Sequence, residues 1–215
     1  EKLGFQPMVD HLGNESAGTP CPLDPAFREY SASLYAHMAQ VGPSVLWIDD
    51  DVRYAGHGTP GTGCFCPLHM ERVSDRLGLP ARRDSILAEI LVEEPVPTPE
   101  RLAWHTVNFE AMTELFDTIR EAVHAVDADI ELGLMTIGHL GHAAEGRDTP
   151  ELLDAMAPGR IRWFRPGAGH WTDERPLGVV TKSEDAFRQI VLAGDNVRAA
   201  SEVENYPYSR ALKSL

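Results

Sequence analysis

Residues 44–51 read Ser-Val-Leu-Trp-Ile-Asp-Asp-Asp, an apolar strand that runs straight into three consecutive aspartates. Similar apolar stretches of strand length recur along the chain and alternate with helix-like stretches, a pattern typical of βα units and a parallel sheet. Strands are expected at residues 3–9, 44–48, 130–135, 161–164 and 197–203. The sequence therefore predicts an α/β fold in which the loops after the strands carry the function.

Apolar residues at helical spacing lie between these strands. Asp24 followed by Pro25 is a typical helix start, and further helices are expected at about 67–77, 99–126, 150–156 and 183–192, whereas residues 82–98 show a mixed pattern. A closed eight-unit barrel typically needs about 250 residues. About five strands in 215 residues predict either an open sheet or a (β/α)8 TIM-like barrel that is incomplete in this chain.

The chain has no Met at its first position, and we expect it to be part of a longer product whose flanking strands lie outside residues 1–215. Residues 1–215 are interpreted as a single partial (β/α) barrel catalytic domain. The net charge of −14 argues against nucleic acid and anionic membrane surfaces as partners. No stretch of eighteen residues is apolar enough to span a bilayer. We expect a cytoplasmic protein, and the sequence leaves open whether it forms a homo-oligomer.

Two carboxylate clusters follow predicted strands. Asp49, Asp50 and Asp51 close the strand at 44–48, and Glu202 and Glu204 close the last strand. Strand alternation is expected to send Asp49 and Asp51 to one face and Asp50 to the other. Paired carboxylates on different strand ends are what glycoside hydrolysis needs, one as proton donor and the other as nucleophile or base. The simpler alternative is that the aspartates pair with Arg53 or cap a neighbouring helix, and that one of the two glutamates pairs with Arg53, Arg165 or a loop lysine.

A metal-binding pattern follows the first acidic cluster. Cys64, Cys66 and His69 form C-x-C-x2-H, and Cys21 lies upstream. Three thiolates and an imidazole satisfy tetrahedral zinc with no open position, which is typical of a structural site. The alternative is three cysteines buried as small core residues beside a surface histidine.

Loop residues near the predicted strand ends suit sugar binding. Aromatic rings can stack on sugar rings, and the aromatic residues at or just after predicted strand ends are Trp47, Tyr54, Trp171 and Tyr206. Trp171 is the better stacking candidate and Tyr206 a further one, whereas Trp47 is expected to be half structural. Histidines in these loops, His11 and His170 above all, are expected to hydrogen-bond substrate hydroxyls. Arg53 or Arg165 is expected to keep the nucleophile ionised, while Asp49 and Glu202 form a supporting acidic layer.

Together these residues resemble the family-42 glycoside hydrolases, the β-galactosidase-like branch of the retaining barrel clan in bacteria. In that family a strand ends in Asp-Asn-Glu, and a C-x-C-x2-C zinc cluster with an upstream Cys follows. Asp49-Asp50-Asp51 stands where that triplet would, and Cys21, Cys64, Cys66 and His69 stand where the metal ligands would. The family's second carboxylate is a Glu at a strand end with Pro shortly after it, similar to Glu204-Asn205-Tyr206-Pro207.

The resemblance implies barrel strands three to seven, a glycoside or oligosaccharide substrate, Asp51 as proton donor, Glu204 as nucleophile, and structural zinc. Three positions depart from the family pattern. Asp51 replaces Glu and is one methylene shorter, Asp50 replaces an Asn that contacts the sugar 2-hydroxyl, and His69 replaces a Cys. The first departure leaves open whether the enzyme retains or inverts configuration, because the distance between the two carboxyl groups decides the outcome.

Two other functions stay open at this point. The first is a metal-dependent barrel hydrolase, in which Asp49 or Asp51 joins histidines from a set of four around a catalytic metal. That set is His11, His57, His139 and His142. The second is a carbohydrate-binding relative that has lost catalysis through the Asp-for-Glu replacement.

Overall fold

Parallel strands with helices between them form the centre of the protein. The computed structural model describes residues 4–50, 52–54, 63–92, 96–137, 145–167 and 178–200. The strands are β1 (Pro7–Val9), β2 (Glu15–Pro20), β3 (Val45–Ile48), β4 (Glu131–Met135), β5 (Arg162–Arg165) and β6 (Val197–Ala199). The helices are α1 (Pro25–Ala39), α2 (Pro67–Leu77), α3 (Arg83–Ile90), α4 (Pro99–Val126), α5 (Thr149–Met156) and α6 (Gly178–Leu192).

The main sheet has the order β3-β4-β5-β6, and every neighbouring pair is parallel. Ile48 is in register with Leu134, and Leu134 with Phe164. The carboxyl ends of these strands therefore meet at one edge, where loops of an α/β sheet build a site. The predicted α/β class with successive βα units is confirmed.

The first predicted strand, at residues 3–9, was expected to join the parallel sheet, and that expectation is wrong. β1 pairs antiparallel with β2 in a separate two-stranded sheet, so the parallel sheet of the described residues has four strands instead of five. The Asp10 side chain holds the turn between the two strands by accepting hydrogen bonds from the backbone N–H groups of Leu12 and Asn14, both at 2.8 Å. β2 reads Glu-Ser-Ala-Gly-Thr-Pro, which contains no apolar run, so the sequence pattern did not predict this strand.

The two faces of the main sheet have different roles. Ile48, Leu134 and Phe164 are buried in the core between the sheet and the helices. The opposite face carries Trp47 and Trp163, whose rings meet edge to face with centroids 6.1 Å apart. Between these two strands, Gly133 leaves room for the indole, because a Cβ there would lie 2.5 Å from Cε3 of Trp47. Trp47 is therefore half-buried against Gly133 and Trp163.

Helix boundaries follow local capping chemistry. The Asp24 side chain accepts hydrogen bonds from the first turn of α1, and Thr98 caps α4 in the same way. α2 ends at Gly78, whose φ of 69° is the left-handed conformation that glycine adopts most readily. α3 was not predicted, because only Ile86 among its eight residues is buried and its apolar period is weak. α6 begins at Gly178, earlier than the predicted residue 183.

Candidate metal centre and acidic strand end

Four buried side chains converge at the predicted metal cluster. Cys21 directly follows β2, Cys64 and Cys66 precede α2, and His69 lies in the first turn of that helix. One ligand atom from each residue lies within 4.8 Å of all the others. The structure therefore brings together all four residues that the sequence singled out as metal ligands, and His69 is buried rather than on the surface.

The spacing of these atoms suits a tetrahedral ion. Nδ1 of His69 lies 3.2 Å from Sγ of Cys21 and 3.6 Å from Sγ of Cys66, and the two sulfurs are 3.5 Å apart. Zinc bonded to sulfur at about 2.3 Å and to nitrogen at about 2.0 Å places its ligand atoms roughly 3.5–3.8 Å from one another. The sulfurs are too far apart for a disulfide bond of about 2.05 Å. The donor set fits a closed, four-coordinate metal site.

The pKa shifts of the three thiols are also consistent with a cation bound at this cluster. The hydrogen bond with Cys21 lowers the pKa of Cys66, while burial raises the pKa of Cys64 to about 12. Hydrogen bonds with Cys64 and Cys66 raise the pKa of Cys21 far above its usual value. Three thiols this close cannot all ionise unless a positive charge replaces their protons.

Local geometry places Cys64 and Cys66. Gly63 has a φ of 68°, and an added Cβ would collide with the Trp104 indole, so a side chain is excluded there. Cys66 is the N-cap residue of α2, and Pro67 occupies the first helical position. The positive end of the helix dipole faces the cluster and favours negative thiolates.

A tyrosine outside the predicted set touches the imidazole. The Tyr54 hydroxyl lies 3.4 Å from Nε2 of His69 and donates a 2.8 Å hydrogen bond to the backbone carbonyl of Asn108 in α4. Tyr54 is completely buried, and burial raises its pKa well above the usual value, so the hydroxyl keeps its proton. In the sequence, Tyr54 is only an aromatic residue shortly after a predicted strand end.

The acidic end of β3 meets two arginines. Asp50 accepts from Arg165, the last residue of β5, at 3.0 Å and from Arg53 at 3.3 Å. Because β4 lies between β3 and β5, the Asp50–Arg165 pair crosses the carboxyl edge of the sheet. Asp50 thus forms the ion pair with Arg53 that the simpler alternative predicts, and it forms a second ion pair with Arg165.

Strand alternation does not continue into the three aspartates. β3 ends at Ile48 and a turn follows, in which the Val52 N–H donates to the Asp49 carbonyl at 3.2 Å. Asp49 itself is exposed. The period of two applies only while the chain stays extended, so it does not determine the sides of Asp49 and Asp50.

Two buried charged residues near this edge were missed. Glu145 and Arg147 precede α5 and are almost fully buried. Nη1 of Arg147 donates to the Val52 carbonyl at 3.2 Å, which ties this loop to the turn after β3. Burial lowers the pKa of Arg147 to about 10, and the negative charge of Glu145 opposes that shift. A charged Glu-Gly-Arg-Asp run just before a helix start was the signal in the sequence.

Several predicted site residues lie outside the described part of the chain. These are Asp51, Glu202, Glu204, His170, Trp171 and Tyr206, together with His57, His139 and His142. His11 is described and lies in the turn between β1 and β2. Within the described ranges, no hydrogen bond or ion pair joins His11 to Asp50 or Arg165. The catalytic pair stays a prediction.

Comparison with known proteins gives a likeness at the level of fold. No profile of a known protein family matches the chain, and no curated protein sequence matches it. The crystal structure of the catalytic domain of β-amylase from Paenibacillus polymyxa aligns with a TM-score of 0.54 and 16% identity over 95% of this chain and 62% of that one. The crystal structure of β-galactosidase from Bacillus circulans sp. alkalophilus aligns with a TM-score of 0.51 and 13% identity over 80% of this chain and 28% of that one.

The chain shares the α/β fold of these two structures, and its described residues contribute a four-stranded parallel sheet. It spans less than two thirds of the length of both solved structures. A likeness at this identity concerns the fold, and function has to be argued from the site. Among the described helices, none combines the length and apolar character that crossing a bilayer requires.

Proposed function

We propose that the chain is part of a glycoside hydrolase in which Asp51 and Glu204 act as proton donor and nucleophile. The observation that carries the proposal is the meeting of Asp50 and Arg165 across the carboxyl edge of a parallel sheet. Active sites of parallel barrels are built at this edge. Asp51 directly follows Asp50, and Glu204 comes five residues after the end of β6 on the far side of the same sheet.

The arginines give the site its charge balance. Asp50 lies against Arg53 and Arg165, so its negative charge is already compensated. A second carboxylate near these guanidinium groups would keep a low pKa and stay ionised, as a nucleophile must. A proton donor needs the opposite environment, and we propose that Asp49, two residues before Asp51, provides the like charge that favours the protonated form of the donor. Glu202 is proposed to support Glu204 in the same layer.

We propose zinc as the ion at Cys21, Cys64, Cys66 and His69. Three thiolates and one imidazole in a tetrahedral arrangement are typical zinc ligands. Four protein ligands leave no open position for water or substrate, so the ion stabilises the loops and takes no part in the chemistry. This closed set is a reason to prefer the paired-carboxylate mechanism to a metal-dependent hydrolase that uses the same cluster. Reduced thiols also suit a cytoplasmic location.

The proposed substrate is a glycoside or an oligosaccharide. A net charge of −14 disfavours polyanionic sugars and leaves neutral glycosides. Resemblance of the acidic triplet and the cysteine cluster to family 42 favours a β-galactoside. Trp171 and Tyr206 are proposed as stacking platforms, and His11 and His170 as partners of the sugar hydroxyls.

A panel of aryl glycosides incubated with the full-length protein tests the proposed function. We expect one class of sugar, β-galactoside first, to be hydrolysed with release of the aryl alcohol, while the same protein after heat denaturation releases none. The measurement is the amount of aryl alcohol released from each substrate, determined by chromatography. Folded, metal-loaded protein that hydrolyses no member of the panel, yet binds sugars by calorimetry, would point instead to a carbohydrate-binding relative.

A further inference from the structure

The buried hydroxyl of Tyr54 has two neighbours and a single proton. It lies 2.8 Å from the backbone carbonyl oxygen of Asn108, which can only accept a hydrogen bond, and 3.4 Å from Nε2 of His69. The shorter contact takes the hydroxyl proton, because a carbonyl offers no proton in return. The oxygen of Tyr54 is then left as an acceptor towards the imidazole.

An acceptor at this position selects one form of the imidazole. Neutral histidine carries its proton on one ring nitrogen and a lone pair on the other. If Nε2 carries the proton and donates to Tyr54, the lone pair is on Nδ1. It is Nδ1 that lies 3.2 Å from Sγ of Cys21 and 3.6 Å from Sγ of Cys66. The lone pair thus points to the place that a metal shared by the sulfurs would occupy.

We propose that Tyr54 is a positioning residue for the metal centre, which holds His69 as the Nε2–H tautomer so that Nδ1 ligates the ion. This inference rests on the proposed zinc site. Ligating histidines usually donate their second N–H group to an oxygen acceptor, and loss of that acceptor typically weakens metal binding by about 10- to 100-fold. The perpendicular rings of Tyr54 and His69, with an angle of 88° between their planes, bring the hydroxyl to the ring edge where the N–H group lies.

The same tyrosine connects the metal centre to the acidic strand end. Tyr54 follows Asp50 by four residues, and Asp50 is held by Arg165. The Asn108 carbonyl anchors the turn that leads out of β3 to α4, and a metal on His69 would hold the same turn through Tyr54. Zinc loss is expected to loosen the segment that carries the proposed proton donor, although no ligand comes from that segment.

Proton-detected NMR of the zinc-loaded protein with 15N-labelled histidine tests the tautomer directly. We expect the His69 signals to show a protonated Nε2 and a metal-bound Nδ1. Zinc on Nε2, or a proton on Nδ1, would overturn the inference. This experiment needs no substitution in the cluster, so it stands even if a variant fails to fold.

Tyr54→Phe tests the positioning role itself. Competition with a chelating zinc indicator should show zinc affinity lowered by about 10- to 100-fold, and the absorption bands of the cobalt-substituted protein should shift. Tyr35→Phe is the matched control, because the Tyr35 hydroxyl donates to the Trp47 carbonyl at 3.2 Å and is not among the cluster residues. It should bind zinc within about twofold of the unchanged protein, since the contacts of His69 remain.

The outcomes separate the two levels of the proposal. If the unchanged protein binds no zinc, both the zinc site and the role of Tyr54 are wrong. If it binds zinc and Tyr54→Phe binds it equally tightly, the zinc site stands and the positioning role is wrong. If Tyr35→Phe weakens binding as much as Tyr54→Phe, the effect is a general loss of packing, and the positioning role is wrong as well.

Discussion

Replacing Cys66 with serine is expected to remove zinc from the protein and to destabilise the fold by about 3 kcal/mol or more. A serine hydroxyl does not ionise near neutral pH and is a poor zinc ligand, so the site falls to three ligands. Cys21 and Cys64 would remain buried beside His69 without the charge that holds them together. In a chain of this size about 3 kcal/mol corresponds to a fall in Tm of roughly 6–12 °C.

Thermal denaturation and elemental analysis of the variant are the measurements. Ser31→Ala is the control, because its buried hydroxyl only bonds the Phe27 carbonyl within α1 at 2.9 Å and lies outside the cluster. It should keep its zinc. Chelation of the unchanged protein should lower its Tm in the same way, and added zinc should restore it. Cys66→Ser that keeps one zinc and the original Tm would show that Cys66 is not a ligand.

The largest effect on turnover is expected for Glu204→Gln and Asp51→Asn in the full-length protein. Each amide keeps the shape of the acid but can neither attack as a carboxylate nor deliver a proton, so kcat should fall by about 10³-fold or more. Stability and zinc content should change little, because these groups act mainly in the transition state. Steady-state kinetics on an activated aryl glycoside measures the kcat of each variant.

Glu121→Gln provides the control for both variants. Its side chain is 75% exposed on α4, far in sequence from either acidic cluster, and its amide variant should be as active as the unchanged enzyme. Near-normal activity of Glu204→Gln would refute its assignment as nucleophile. Carboxyl groups of Asp51 and Glu204 on opposite faces of the sheet would refute the pair, since no rotamer change could bring both to one glycosidic bond.

Periodicity and spacing predicted the parts of the structure that depend on local sequence. α2 and α4 have the predicted bounds, because Pro67 and Pro99 mark their starts and Thr98 also caps α4. The metal ligands were found for a similar reason. Two cysteines and a histidine within six residues can reach a common point without help from the rest of the fold.

The remaining features depend on contacts between distant segments. β2 has no apolar run and exists because Asp10 turns the chain back on β1. Asp50 and Arg165 are 115 residues apart in the sequence, and the order of the strands in the sheet brings them into contact. Tyr54 and the Asn108 carbonyl meet for a similar reason, and a backbone carbonyl leaves no signature in a sequence.

Zinc content of protein purified in reducing buffer, with no metal or chelator added, tests the central claim most directly. Inductively coupled plasma mass spectrometry should find about one zinc per chain, because four buried ligands leave no open position and hold the ion tightly. The metal should follow the protein through gel filtration. Folded protein that carries less than about a tenth of a zinc per chain, and takes up none when zinc is added, would contradict the claim that Cys21, Cys64, Cys66 and His69 form a zinc centre.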